Sequence, residues 1–255
     1  MFDALAAINF ADLLPFITIG FGAQLVDGAL GMAFGVISST LLVSLGVPPA
    51  AASAGVHTVE SFTTAASGVS HVLHRNVDWR LFARLVIPGV IGGLVGAYLL
   101  TQLHAETARP FVLAYLAAIG LYLIWRGTHP RREPRSPRFI APLGLAGGFL
   151  DAAGGGGWGP VVTGNLLIQG ADPRRVIGTV NTAEFFLTVS ISATFLITLG
   201  PEAFTIATLG LLIGGIGAAP LGAVVAKRVP AQPLLIMVGT ILTITSGYGI
   251  WRAFG

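Results

Sequence analysis

The 255-residue sequence contains no cysteine. That excludes disulfides and thiolate-held metals. It is also poor in charge: Asp, Glu, Lys and Arg together make up 10% of it, where a soluble globular chain carries about 25%. Segments of alternating polarity, the mark of a membrane β-barrel, are missing. So is the basic start of a cleaved signal peptide, because residues 1–16 hold Asp3 and Asp12 and no Lys or Arg; we read them as part of the mature chain. No HExxH or GxSxG motif occurs, and the His and carboxylate residues are too dispersed for a nucleophile–base or metal constellation. Neither an enzyme nor any metal or cofactor is expected.

What is present is apolar. Hydrophobic residues make up 54% of the chain, and the mean hydropathy is +0.82. Runs at 85–103, 109–125, 185–200, 204–226 and 233–250 each approach the roughly 20 residues that a spanning helix needs. Glycine (35) and proline (15) are abundant, as in membrane helices, where small residues let backbones approach. The expectation is an all-α integral membrane protein, multi-pass in the cell (inner) membrane, with the lipid bilayer as partner. The net charge of +3 follows from Lys and Arg in loops on the cytoplasmic side, not from nucleic-acid binding. A homodimer stays open.

The chain is a duplication. Shifted by 124 residues, 27–62 lies over 151–186 without a gap and with 11 identities in 36, among them Asp27/Asp151, Gly35/Gly159, Pro49/Pro173, Thr58/Thr182 and Glu60/Glu184. Tyr122-Leu-Ile-Trp-Arg126 likewise resembles Tyr248-Gly-Ile-Trp-Arg252. The division is a first transmembrane repeat at 1–125, a basic cytoplasmic linker at 126–138 and a second repeat at 139–255. Loop charge predicts inversion. Loops 74–84, 170–175 and 226–231 are basic and read as cytoplasmic, whereas 46–52, 103–110 and 200–203 read as external, so equivalent loops fall on opposite sides. Both termini would then be external. Each repeat would open with a Gly-rich broken helical hairpin and continue with about three spanning helices; a parallel repeat of four spans each is the alternative.

Four acids sit in apolar sequence: Asp27, Asp151, Glu60 and Glu184. A carboxylate there costs roughly 2.5–3.5 kcal/mol on insertion scales. The Glu pair is read as proton-coupling or gating. For Asp27 and Asp151 the same role stands beside a structural one, capping the half-helix that follows. His57, Glu60, Thr64, Ser67 and His71 recur at helical spacing and form one polar face. His57 is either a relay partner of Glu60 or a neutral histidine bonded to a neighbouring helix. The glycines Gly28 and Gly31, and Gly154, Gly155, Gly156 and Gly157, allow sharp turns. They form either a tight packing turn or a backbone anion site at a half-helix N-terminus. Trp158 matches Phe34 and either walls that site or packs. A small anionic substrate between the two turns would meet Gln24, His57, Thr58, Asn181 and Thr182.

The runs FGAQLVDGALGMAFG and VHTVES in the first half resemble the sulfite exporter TauE/SafE family of membrane permeases. So do GGFLDAAGGGGWGPVVTGNLL, GADPRRVIGTVNTAEF and YGIWR in the second. The resemblance covers nearly the whole chain. It implies transport of sulfite, a sulfonate or a related small anion, with export as the expected direction, and it assigns no residue roles. Two inverted hairpins meeting at the midplane favour a secondary transporter with alternating access over an anion channel.

Overall fold

The computed structural model describes residues 10–129, 137–169, 171–228 and 231–254. Residues 130–136 of the linker, the tip of the 226–231 loop and both termini lie outside them. The regular elements are helices: α1 (Phe10–Leu30), α2 (Phe34–Ser44), α3 (Pro49–Leu73), α4 (Trp79–Gln102), α5 (Ala105–Thr128), α6 (Ile140–Gly154), α7 (Gly164–Ile168), α8 (Pro173–Leu199), α9 (Ile206–Arg228) and α10 (Ala231–Phe254). A π-helical turn, Gly159–Thr163, leads into α7, and a 3-10 turn, Pro201–Ala203, joins α8 to α9. Among the described residues there is no strand. Four helices, α4, α5 and most of α8 and α10, are long and apolar enough to cross a membrane. Helix α5 runs on through Thr128, so the expected start of the linker at Arg126 is still helical.

Two helices break at matched places. After α1 the backbone turns at Gly31 (φ 66) and Ala33 (φ 145); after α6 it turns at Gly155 (φ 74) and Gly157 (φ 151), with Gly156 (φ 144) between them. Positions 31/155 and 33/157 correspond under the duplication, so both turns take positive φ at the same two places; at the residue between, Gly156 does so and Met32 does not. Ala33 holds the left-handed region where its counterpart is a glycine, at a cost of about 1–3 kcal/mol. Beyond the second turn Pro160 lacks an amide proton, and the chain winds as a π turn before the α-helical pattern resumes. At 15 residues, α6 is roughly 22 Å long, short of the ~30 Å of hydrocarbon in a bilayer. The chain then doubles back. The Arg138 N–H, before α6, donates to Gln169 Oε1, after α7, at 2.6 Å. The unit is a helical hairpin with both ends together.

The heaviest packing joins α1 to α9, α6 to α4, α5 to α10 and α3 to α8. Exchanging the halves maps the first pair onto the second and the last two onto themselves. Matched helices run antiparallel. Asn76, past the end of α3, bonds Arg174 at the start of α8 (2.7 Å), while Ser67 accepts from Asn181 (3.1 Å). On α5, Gly120 meets Gly239 and Thr243 of α10, and Gly127 meets Gln232 and Ile236. The helices α4 and α6 run parallel, so close that a Cβ on Gly92 would lie 2.1 Å from the Leu145 carbonyl and one on Gly148 would lie 2.1 Å from the Gly89 carbonyl.

Polarity is reversed relative to a soluble bundle. On α3, His57, Glu60 and Thr64 are buried while Phe62, Val69 and Leu73 are exposed; elsewhere Phe111 and Ile197 face outward. An outer surface of large apolar side chains with polar groups inside suits hydrocarbon as solvent.

Backbone contact at Gly148 predicts that Gly148→Ala lowers the melting temperature in detergent, with a loss of about 1–3 kcal/mol or more. Gly217→Ala, at a site with nothing within 4 Å, should gain up to about 1 kcal/mol. Equal melting points for the two variants would refute the close α4–α6 packing.

Candidate functional site

The two broken helices cross in direct contact. A Cβ on Gly35, at the start of α2, would lie 3.0 Å from Gly156 Cα; at the matched place, one on Gly159 would lie 2.6 Å from Met32 Cβ. Nothing fits between the chains at these two points in this conformation.

A helix that stops inside the protein leaves carbonyls at its C-terminal end and amides at the next N-terminal end. Around the second turn these groups find partners from four helices. Ser53 of α3 donates to the Ala152 carbonyl at 2.8 Å. Ser39 of α2 donates to the Gly155 carbonyl, and Tyr115 of α5 donates to the Gly156 carbonyl at 3.1 Å. The Asp151 carbonyl accepts from the Gly155 and Gly156 amides. Asp151 Oδ1 accepts from the Trp158 amide at 2.7 Å. The first turn repeats the last device: Asp27 Oδ1 accepts from the Phe34 amide at 3.2 Å, and the Asp27 carbonyl accepts from Gly31 at 2.6 Å. Both aspartates therefore cap the half-helix seven residues on.

His57 is fully buried and pairs with Asp151 of the second repeat, not with Glu60 on its own helix. Its Nε2 lies 3.0 Å from Asp151 Oδ2, and its Nδ1 lies 2.7 Å from the Ser53 carbonyl oxygen. A carbonyl only accepts, so Nδ1 carries a proton. One further proton lies between Nε2 and Oδ2. Whichever atom holds it, the pair has no net charge, and one of the four intramembrane acids is offset. The matched position holds Asn181, which donates to Ser67 Oγ at 3.1 Å and leaves Asp27 without a histidine partner.

Glu60 Oε1 lies against Gly35, 3.0 Å from where a Cβ would stand. Its Oε2 is buried without a hydrogen-bond partner among the described residues. Glu184, Asp151 and Asp27 are close enough to act on it electrostatically. Gln24 Oε1 and Thr163 Oγ1 are also buried and unpartnered among the described residues. The hydroxyls of Thr58 and Thr182 donate to carbonyls of their own helices, at Ala54 and Gly178. Trp158 is buried, its ring against Gly89 and Gly147 and its Nε1 donating to the Val180 carbonyl at 3.3 Å. Gly154, Gly155, Gly156 and Gly157 are buried in the second turn, Gly31 is half-buried in the first and Gly28 is exposed.

The family model for sulfite exporter TauE/SafE matches residues 16–249, which include every residue of this crossing. The chain belongs to this family. It is 43% identical over 243 residues to "Probable membrane transporter protein YtnM" of Bacillus subtilis (strain 168), covering 92% of this chain and 81% of that protein. It is also 28% identical over 111 residues to "Sulfite exporter TauE/SafE family protein 3" of Arabidopsis thaliana, covering 44% of this chain and 23% of that protein. No solved structure matches. The protein is a membrane transporter of the TauE/SafE family and not an enzyme.

Sequence reasoning missed Ser39, Ser53 and Tyr115 as partners of the turn. For Ser39 a signal existed: it corresponds to Thr163, a second hydroxyl at the matched place. Gly35/Gly159 were visible as an identity, and they mark the contact between the broken helices.

The unequal surroundings of the two aspartates make a prediction. Asp151→Ala strands His57 and uncaps Trp158, and should destabilise by about 3–5 kcal/mol. Asp27→Ala removes a cap alone, worth about 1 kcal/mol. Thermal unfolding in detergent checks this, and equal shifts would dismiss the asymmetry.

Proposed function

We propose that the protein is a secondary transporter that exports a small sulfur-containing anion, such as sulfite or an organosulfonate, across the cell (inner) membrane. It works by alternating access between two halves of opposite orientation. The observation that carries this reading is the crossing itself: two matched helix breaks in contact, with Glu60, Glu184, Asp27 and Asp151 gathered about them. Broken helices meeting at a repeat interface are the usual place for a transporter site.

Inversion is supported by direction. The matched helices α3 and α8 are antiparallel, as are α5 and α10, and each is long enough to span. It is supported by charge as well. Arg75, Arg138 and Arg174 belong to one group of loops, joined by the Asn76–Arg174 and Arg138–Gln169 bonds. Loops 46–52 and 103–110 meet elsewhere, where Arg109 donates to the Gly46 carbonyl at 2.8 Å. The first group is the cytoplasmic face in this reading.

A carrier fits better than a channel, because backbone contact at Gly35/Gly156 and Met32/Gly159 interrupts any straight pore. The buried, unpartnered Oε2 of Glu60 suits a proton site, and proton coupling through Glu60 and Glu184 follows from it. The anion passes beside the acids while they are protonated, and Gln24, Asn181 and the turn glycines Gly28, Gly31 and Gly154 to Gly157 frame its path.

In proteoliposomes, radiolabelled sulfite flux should saturate with concentration and respond to an imposed proton gradient. Glu60→Gln with Glu184→Gln should lower it at least about tenfold, the scale of one lost charge-assisted step of ~1.4 kcal/mol, with an unchanged size-exclusion profile. Linear flux would point to a channel. Full flux in the double variant would leave the two acids structural. Orientation has its own check in the cysteine-free chain: Asn76→Cys should label from the cytoplasmic side and Leu103→Cys from outside.

A further inference from the structure

Tyr115 and Tyr122 are seven residues apart on α5, so their phenols leave nearly the same face, roughly 10 Å apart along the axis. Tyr115 covers the second turn. Its hydroxyl donates to the Gly156 carbonyl, and its ring and hydroxyl lie where Cβ atoms on Gly154 and Gly157 would stand. Tyr122 reaches Gly164, beyond the turn. From there toward the linker end of α5 a cavity of about 200 Å3 opens, lined among others by Leu30, Met32, Tyr122, Arg126, His129 and Gln232. Its inner wall, Met32, rests on Gly159, so the cavity reaches the crossing. Under the duplication Leu30 and Met32 correspond to Gly154 and Gly156. The first turn has this cavity against it; beside the second turn, Tyr115 and Gly154 border a separate cavity of about 400 Å3 walled by Leu103, Phe111, Phe149 and Leu150.

We propose that this cavity is a loading chamber in which a small oxyanion, arriving from the linker side, is received by Arg126 and Gln232, with the contact between the two broken helices shutting the opposite side. The proposal rests on the reading of the chain as an anion carrier. The crossing offers an anion four acids; the chamber offers it none among its described lining residues. Arg126 brings a permanent charge and a planar fork that matches two oxygens of a sulfonate or sulfite. Gln232 is the second residue of α10, whose N-terminal end supplies positive potential. A volume of about 200 Å3 holds roughly six waters, enough for a small anion with part of its hydration shell. On the far side, the Arg109–Gly46 bond joins the loops above Tyr115.

The chain has no cysteine, so single thiols report access directly. Ile177→Cys places one at the inner end of the chamber, and Thr128→Cys marks the linker side. Sealed vesicles of each orientation are treated with a sulfonate-bearing and a trimethylammonium-bearing methanethiosulfonate, each rate divided by that for a free thiol. Ile177→Cys should label only from the side that labels Thr128→Cys, with the sulfonate reagent favoured about tenfold. Arg126→Gln should bring the ratio near one, and Arg126→Lys should keep most of it. Equal labelling from both sides, no labelling, or a ratio unchanged by Arg126→Gln would overturn the chamber. The readout needs no transport. If the pattern holds but neither methanesulfonate nor 2-aminoethanesulfonate, which do not react with the reagents, slows labelling, the chamber stands and the sulfonate reading falls.

Discussion

A helix interrupted inside a bilayer must have its open backbone groups satisfied by protein, because hydrocarbon supplies no partner. Most of the interior follows from that demand. The carbonyls that end α6 draw Ser39, Ser53 and Tyr115 from three other helices. The amides that begin the next segments draw the carboxylates of Asp27 and Asp151. Those partners must come close, so the helices around the turns carry glycine where backbones touch: Gly35 at Gly156, Gly89 at Gly148, Gly159 at Met32. The acids that look like chemistry in the sequence are thus partly architecture.

That division clarifies what is free to act. Asp151 is held twice, by the Trp158 amide and by His57, and the pair carries no net charge. Glu60 is held on one oxygen's side only, and its Oε2 has no partner among the described residues. Thr58 and Thr182 have their hydroxyl protons engaged within their own helices. Donors open to the proposed anion therefore lie less at the turns, whose Gly31, Gly155, Gly156, Phe34 and Trp158 amides already donate, than toward the ends of the flanking helices. An anion path that begins at Arg126 and skirts the turns is consistent with this distribution of hydrogen bonds.

Much of this was legible in sequence. The spanning runs, the 124-residue repeat and the glycine turns each have a local signature in hydropathy or composition. The α3 face from His57 to Thr64 was readable from spacing, and those residues are buried while Phe62 and Leu73 are not. The partner of His57 was not readable. Helical periodicity reveals neighbours three or four residues away, which is why Glu60 suggested itself; Asp151 is 94 positions off and is brought near by the packing of α6 on α3. Ser39, Ser53 and Tyr115 were hidden for a related reason. A hydroxyl in an apolar helix commonly bonds its own preceding turn, as Thr40 and Thr58 do, and only the fold shows which ones reach another helix. The end of α5 was misplaced because charge and proline signal a loop, yet the first proline lies beyond Thr128.

The duplication is close in backbone and unequal in side chains. Had the halves stayed identical, exchanging their conformations would return the same energy, and the two end states of such a carrier would be equally populated. The His57–Asp151 pair has no twin, since Asn181 and Asp27 stand in its place, and Ala33 bears backbone strain that Gly157 does not. An offset of about 1.4 kcal/mol between two states shifts their ratio tenfold. In the proposed alternating-access cycle, a single histidine present on one side alone would act as a thumb on the scale, giving a lopsided switch whose preferred resting position is written into the sequence at position 57.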